Sequence, residues 1–292
     1  MRAIVTYIGT YLGNYQSHQH ETVSPQCHTL HTMADSLQDC TALFTEPAGY
    51  FPPPAQPTTQ AYTLSCTPHP TTLTLHLVGA SVLEAHRLWN GSTAISKYFE
   101  ASPELVRSRS VLELGAGAGL PSIICAALGA ASVVVTDYPD AHVIANMQHN
   151  VEAADAVLDA NGALSARIAV RGYAWGGPAA ALLSILGPEQ RFAVVVLADL
   201  LFRHSGHADM LRTLRQTLAR DGVAYVFFTS YRPWLRHKDL AFFDLAAMDE
   251  HGPFAVEQVM EHKLDKPMFD GDPGDVEVQK TVTGWTLRWK DP

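Results

Sequence analysis

The sequence predicts an α/β fold with a mostly parallel sheet, helices on both faces and an antiparallel hairpin at one edge. Three observations lead there. From Ser110 to about Gly252, short β-branched runs alternate with amphipathic or alanine-rich runs, the pattern of strand–helix–strand units joined by right-handed crossovers. The run "RFAVVVLADLLF" is apolar at nearly every position, as a strand buried on both faces requires. The last two β-prone runs, "FAVEQVMEH" and "TVTGWTLRWK", are separated only by a loop holding "DGDPGD", which favours a hairpin over another crossover.

Residues 1–32 are rich in His, Thr, Tyr and Gln without a period and read as a disordered leader. Residues 33–292 read as one domain: 33–109 supply an N-terminal arm, a β hairpin and a helix, and 110–292 an α/β core. Met33 opens "MADSLQDCTALFTEP", which looks like an alternative N-terminus. The prolines of "EPAGYFPPPAQPTT" exclude helix and central strand, so this stretch is expected to lie extended over the surface, held by Leu43, Phe44, Tyr50 and Phe51. "QAYTLSCTPHPTTLTLHLVG" gives two β-prone runs about a proline-containing break, hence a hairpin. A helix is expected from about Ser92 to Glu100.

In the core, "SVLEL", "SVVVTD", "ARIAVRGYAW", "RFAVVVLADLLF" and "DGVAYVFFTSYRP" are the expected strands. Between them lie the helical runs "LPSIICAALG", "AHVIANMQHNVEAADAV" and "HSGHADMLRTLRQTLAR", and "KDLAFFDLAAMDEHG" follows the fifth strand. The first helix has Pro121 in its first turn and Gly129 near its end, the usual asymmetry of helix termini.

Composition narrows the function. The 292 residues are 47% hydrophobic and 17% charged, with a formal net charge of −9 at pH 7. That balance argues against a nucleic-acid partner, which usually meets a basic stripe. No apolar run approaches the roughly 20 residues of a membrane span. The four cysteines form no C-x-x-C pair, so no zinc ribbon or redox motif is indicated and a reducing, cytoplasmic setting is expected. Cys125 reads as a small core residue. His204 and His207 are spaced as a loose metal pair but have no third ligand in view, so no metal is expected.

The chemistry-bearing stretch is "SVLELGAGAGLPSIICAALG". Gly115, Gly117 and Gly119 stand between a strand and a helix, where glycine lets backbone approach a ligand and the helix start offers free N–H groups. Nucleotides, flavins and S-adenosylmethionine all use such a turn. The nicotinamide fingerprint would want a third glycine where Leu120 stands, and no Lys-Ser or Lys-Thr follows as in a triphosphate loop. Asp137 ends the next strand, about twenty residues on, where a carboxylate can accept from both ribose hydroxyls. Its alternative role is to cap the following helix, which Asp140 can fill instead.

"VLELGAGAGLPSI" resembles the first motif of the seven-strand methyltransferases, which bind S-adenosylmethionine. "HRLWNGSTAISKYF" looks like the helix preceding that motif in the lysine methyltransferases of translation factors and chaperones. With "VVVTDYPD", "YAWG", "LADLLFRHSGH", "SYRPWLRHKDLAFFDLA" and "DPGD", the chain resembles one fungal branch over about residues 37–290. That branch, formerly described as nicotinamide N-methyltransferase-like, is described as acting on the N-terminal glycine and a nearby lysine of elongation factor 1-alpha. The resemblance implies a Rossmann-like seven-strand methyltransferase sheet with a short N-terminal β extension.

It also implies a site. Trp89 would lie beside S-adenosylmethionine and Glu113 towards its amino end. Gly115, Ala116 and Gly117 would line the methionine part, Asp137 the ribose and Trp175 the adenine, with Ala198 at the end of the fourth strand. Asp199 would face the incoming amine and orient it or accept its proton, with capping as the alternative role; Phe202 stands where related enzymes carry a tyrosine. Elongation factor 1-alpha is the implied partner, and a monomer the expected state. A small-molecule amine N-methyltransferase and a non-enzymatic cofactor binder are the alternatives. Because the leader lacks a hydrophobic period, a chain begun at Met33 is expected to melt within a few degrees of the full chain; a much larger loss in a thermal scan would mean that residues 1–32 contribute to the core.

Overall fold

A computed structural model describes residues 55–65, 70–79, 81, 83–158, 162–187, 190–248, 250 and 253–290. The leader, the alternative start and the proline-rich arm fall outside the described residues, except for the arm's last five. Among the described residues the expected hairpin comes first. β1 (Thr58–Leu64) and β2 (Thr71–Leu77) pair antiparallel, Tyr62 opposite Leu73. Tyr62, Leu64, Leu73, Leu75 and Leu77 are buried at alternate positions, so one face of this two-stranded sheet joins the main core.

A seven-stranded sheet follows. Its strands are β3 (Ser110–Leu114), β4 (Ser132–Asp137), β5 (Ile168–Gly172), β6 (Phe192–Ala198), β7 (Leu218–Thr229), β8 (Phe254–Lys263) and β9 (Thr281–Trp289). Their order is β5-β4-β3-β6-β7-β9-β8. Only β9 runs antiparallel to its neighbours, which gives the expected closing hairpin. The chain moves outward from β3 through β4 to β5, then returns to place β6 on the other side of β3. Above that reversal lies a crevice at the carboxyl ends of the strands.

Helices α1 (Asn90–Ala101), α2 (Leu120–Ala127) and α3 (Ala141–Leu158) share one apolar core with the hairpin, and α5 (His207–Thr217) and α6 (Arg236–Ala246) share the other. Two short helices, α4 (Ala180–Leu183) and α7 (Val276–Gln279), lie in connections. Strand β6 feeds both cores: Val194 and Val196 join the first, Val195 and Leu197 the second, which accounts for its continuous apolar run. Helix α2 ends in a Schellman motif. Gly129 has φ 91°, its N–H donates to the Ala126 carbonyl at 3.0 Å, and that of Ala130 donates to Cys125 at 3.0 Å. Cys125 is fully buried, as expected; the other cysteines lie outside the described residues. Among the described residues no helix is long and apolar enough to cross a membrane.

Two expected boundaries are corrected. The helix read through Arg220 stops at Thr217, and Leu218 opens β7 opposite Phe192. The pairing register then slips over Ala219–Gly222 and resumes at Val223 opposite Val194; at Gly222 a Cβ would lie 2.8–3.1 Å from Leu218 and two carbonyl oxygens. The fourth strand, read through Phe202, stops at Ala198 because Asp199 takes φ 53°, outside any strand conformation.

Buried polar bonds tie the hairpin to the site. Asn150 accepts from His76 N at 2.8 Å and donates to His76 O at 2.8 Å and to Ala118 O, in the glycine loop, at 3.0 Å. Glu100, at the end of α1, accepts from Tyr62 OH, from Ser65 N at 2.7 Å and from Ser65 Oγ at 3.1 Å. Glu100→Ala leaves these donors without their acceptor and is expected to cost about 1–3 kcal/mol. Thermal unfolding checks this, and an unchanged melting temperature would show that Glu100 does not anchor the hairpin.

Candidate active site

The carboxyl edge of the sheet carries a cleft of about 350 Å³, within the range of small-molecule sites. Trp89, Glu113, Gly115, Ala116, Gly117, Asp137, Trp175, Ala198 and Asp199, the residues singled out from sequence, all line it. They come from the start of α1 and from the ends of β3 to β6. The alternation of strands and helices delivers every such loop to one edge.

The glycine loop is conformationally demanding. Gly115 has φ 58°, and a Cβ there would stand 2.6 Å from Leu200 and 3.0 Å from the Trp175 indole. Gly117 has φ 56°, with nothing nearer to its missing Cβ than Ala85 Cα at 3.9 Å. Backbone is thus exposed to the cleft at Gly117, and Gly115 is packed under Leu200 and Trp175. The indole of Trp175 also covers Gly206, whose Cβ would meet it at 3.1 Å. Trp175 is half-buried in a loop after β5 and lines the cleft.

Four carboxylates shape the electrostatics. Asp137 accepts from Gly117 N at 2.7 Å and Tyr138 N at 2.7 Å, while Asp140 caps α3 through His142 N at 2.9 Å and Val143 N at 3.1 Å. Asp140 therefore takes the capping role that the sequence left open, and Asp137 stays at the cleft. Burial raises the Asp137 carboxyl above its usual range, opposed by its two backbone donors. Glu113 is fully buried and binds the start of α2, accepting from Ser122 N at 2.9 Å and from Ser122 Oγ. Burial pushes it up to about 8.

Asp199 accepts from Thr229 N at 2.8 Å through Oδ1, and from Gly91 N and Tyr231 OH (3.3 Å) through Oδ2. Burial pushes it up to about 7. It therefore fastens the first turn of α1, and hence Trp89, to the sheet edge. The two histidines spaced like metal ligands are otherwise engaged: His204 Nε2 lies 2.7 Å from Asp239 Oδ1, and His207 Nε2 lies 2.8 Å from Leu201 O.

Sequence reasoning missed two rings that pack against Trp89 without themselves lining the cleft. Trp89 is flanked by Phe202 at 6.4 Å, Tyr231 at 5.1 Å and Phe269 at 6.0 Å between ring centroids. Tyr231 had one available signal, its position two residues past an apolar strand. Phe269 had none, lying in a loop without period.

A family model described as lysine methyltransferase matches residues 72–249, more than half of the chain. The chain belongs to this family. It is 48% identical over 254 residues to the protein N-terminal and lysine N-methyltransferase EFM7 of Gibberella zeae, covering 85% of this chain and 94% of that one. The Neurospora crassa protein of the same name is 49% identical over 272 residues, covering 89% and 92%. That of Schizosaccharomyces pombe is 37% identical over 260 residues, covering 87% and 98%. Among solved structures, a T. thermophilus 16S rRNA methyltransferase in complex with AdoMet and guanosine aligns over 82% of this chain and 52% of its own, at 17% identity and TM-score 0.48.

Membership of the lysine methyltransferase family makes the chain a methyltransferase with S-adenosylmethionine as methyl donor, and its cleft fits that cofactor. Gly117 would offer bare backbone to a carboxylate, Asp137 would offer acceptors to vicinal hydroxyls, and Trp175 would offer its indole to a purine. When bound, S-adenosylmethionine supplies a methyl group activated on a sulfonium. The protein's part is to hold a neutral amine in line with it, which is mainly orientation. Asp137→Ala is expected to weaken S-adenosylhomocysteine binding at least about tenfold, since acceptors to two hydroxyls are lost. Calorimetry on the folded variant decides; unchanged affinity would remove Asp137 from the ribose.

Proposed function

We propose that this chain methylates the N-terminal glycine and a nearby lysine of elongation factor 1-alpha. The observation that carries the reading is its similarity, over nearly the full length of each, to relatives themselves named protein N-terminal and lysine N-methyltransferases. The factor itself is implied by the branch resemblance of "YAWG", "LADLLFRHSGH" and "SYRPWLRHKDLAFFDLA". A cytoplasmic, monomeric enzyme acting on protein rather than nucleic acid or membrane goes with this reading.

The acid at the mouth suits an amine. Ionised Asp199 is acceptor-only with about four lone-pair directions, and its three donors leave one at Oδ1 for an acceptor N–H. All three partners are donors, so they favour the charged carboxylate, while burial and the nearby Asp239 oppose it. An α-amine titrates at about 7.7–8.0 and a lysine near about 10.4, so the N-terminal amine needs less help to reach its neutral, nucleophilic form. Exposed Asp270, Asp272 and Asp275, in the loop between β8 and β9, add negative charge on the acceptor side that favours a basic segment.

The sign of the pH dependence follows. A carboxyl raised to about 7 is protonated below that pH and charged above it, so turnover should rise through neutrality. Asp199→Asn is expected to keep cofactor binding, lose turnover by about a hundredfold, and lose the limb near pH 7 while keeping the one set by the acceptor amine. The assay compares three acceptors: the intact factor, a version with its N-terminus blocked and the nearby lysine replaced, and nicotinamide. Equal labelling of the first two would refute the site, and labelling of nicotinamide alone would make this a small-molecule enzyme.

A further inference from the structure

We infer that Phe269 is a positioning residue for the acceptor, holding Trp89 and Arg87 at the acceptor end of the cleft; the inference rests on the methyl-transfer reading of that cleft. Trp89 and Arg87 both line the cleft, whereas Phe269 stands behind them. Its ring lies 6.0 Å from Trp89 at 57° and 5.7 Å from Tyr231 at 80°, and the Arg87 guanidinium stacks over it at 4.9 Å. One side chain from the loop between β8 and β9 thus supports two cleft residues nearly two hundred positions earlier in the chain.

Sheet order shows which end of the cleft this is. The glycine loop, Asp137 and Trp175 follow β3, β4 and β5, which form one half of the order. Asp199 and Tyr231 follow β6 and β7, and Phe269 joins β8 to β9, in the other half. Trp89 spans the boundary. Its indole N–H donates to Glu84 O at 2.8 Å, which fixes one edge of the ring and leaves its tilt to Phe202, Tyr231 and Phe269. Tyr231 is itself held, accepting from Asn90 N at 3.1 Å and donating to Asp199.

The supporting loop is braced. Leu264 N donates to Lys280 O at 2.8 Å and Gln279 Nε2 to Pro273 O at 3.0 Å. Glu277 pairs with Lys280 at 2.6 Å and Lys263 at 3.1 Å. At Gly274 a Cβ would stand 3.0 Å from Pro233, so this loop and the one carrying Tyr231 pack together. Phe269 is therefore presented from a fixed base, and its removal frees Trp89 and Arg87 without touching the glycine loop or Asp137.

The test uses the full chain as wild type, Phe269→Ala and Phe269→Tyr. Three readouts are compared: S-adenosylhomocysteine affinity by calorimetry, KM for the acceptor protein, and the fluorine resonance of 5-fluorotryptophan at Trp89, assigned with Trp89→Phe. Phe269→Ala should shift or broaden the Trp89 resonance and raise acceptor KM about tenfold, with a smaller loss of cofactor affinity because Trp89 spans the boundary; Phe269→Tyr, which keeps the ring, should restore all three. An unmoved Trp89 resonance overturns the inference whichever acceptor is used, as does an equal loss of cofactor affinity. If the wild type labels a different amine acceptor, the substrate reading falls, and the same KM comparison made with that acceptor still decides the role of Phe269.

Discussion

The site depends on one buried carboxylate. Asp199 leaves β6 with φ 53° and sends its N–H to Phe227 O at 2.8 Å, which turns its side chain back towards α1. There it collects the Gly91 N–H, the Thr229 N–H and the Tyr231 hydroxyl. A charge in such a place is costly unless its hydrogen bonds are complete, and the start of a helix is where free N–H groups and a favourable dipole coincide. The approach is possible only because residue 91 is glycine: a Cβ there would stand 2.5 Å from Phe227 O and 2.8 Å from Asp199 Oδ2. Trp89 is placed at the cleft by this bond, so the geometry of the mouth follows from a carboxylate and a missing methyl group.

The same device recurs at the cofactor side. Glu113 takes the start of α2 through Ser122 and Asp140 takes the start of α3. Helices on this face of the sheet are thereby fixed by acids at the ends that point to the cleft. Concentrating carboxylates there has an electrostatic consequence, since burial raises Glu113 and Asp199, and Asp137 raises Glu113 further. An acidic crevice that resists full ionisation is suited to a cationic ligand, whose arrival supplies the countercharge that the fold leaves out.

Fold and cofactor side were legible because each leaves a local pattern. Continuous apolar runs marked the central strands, Gly115 and Gly117 marked the turn, and Asp137 was marked by spacing from it. Asp199 was legible as a position and as a candidate cap, but the helix it caps was not, because its donors come from residues 91, 229 and 231 and only tertiary structure brings them together. Tyr231 and Phe269 sit in loops, where no period distinguishes a ring at the site from one on the surface. The end of α5 was misread for a related reason. Leucines at 211, 214 and 218 fit a helical stripe, yet Leu218 is buried just as well by β7 pairing with Phe192, and burial alone cannot tell the two periods apart.

The closing hairpin explains why loops so far apart in sequence meet. Strand β8 runs parallel to β3 through β7, so its last residue, Lys263, arrives at the carboxyl edge. Strand β9 starts from that edge and returns antiparallel between β7 and β8. The connection between them, residues 264–280, must therefore lie beside the loops that carry Asp199 and Tyr231. Had the last two strands been parallel, a crossover would have carried the chain to the opposite edge before β9 began. Reversing one strand is what brings this connection, and with it Phe269, against Trp89 and Arg87 at one end of the cleft, on a braced segment that lies apart from the strands carrying the glycine loop and Asp137.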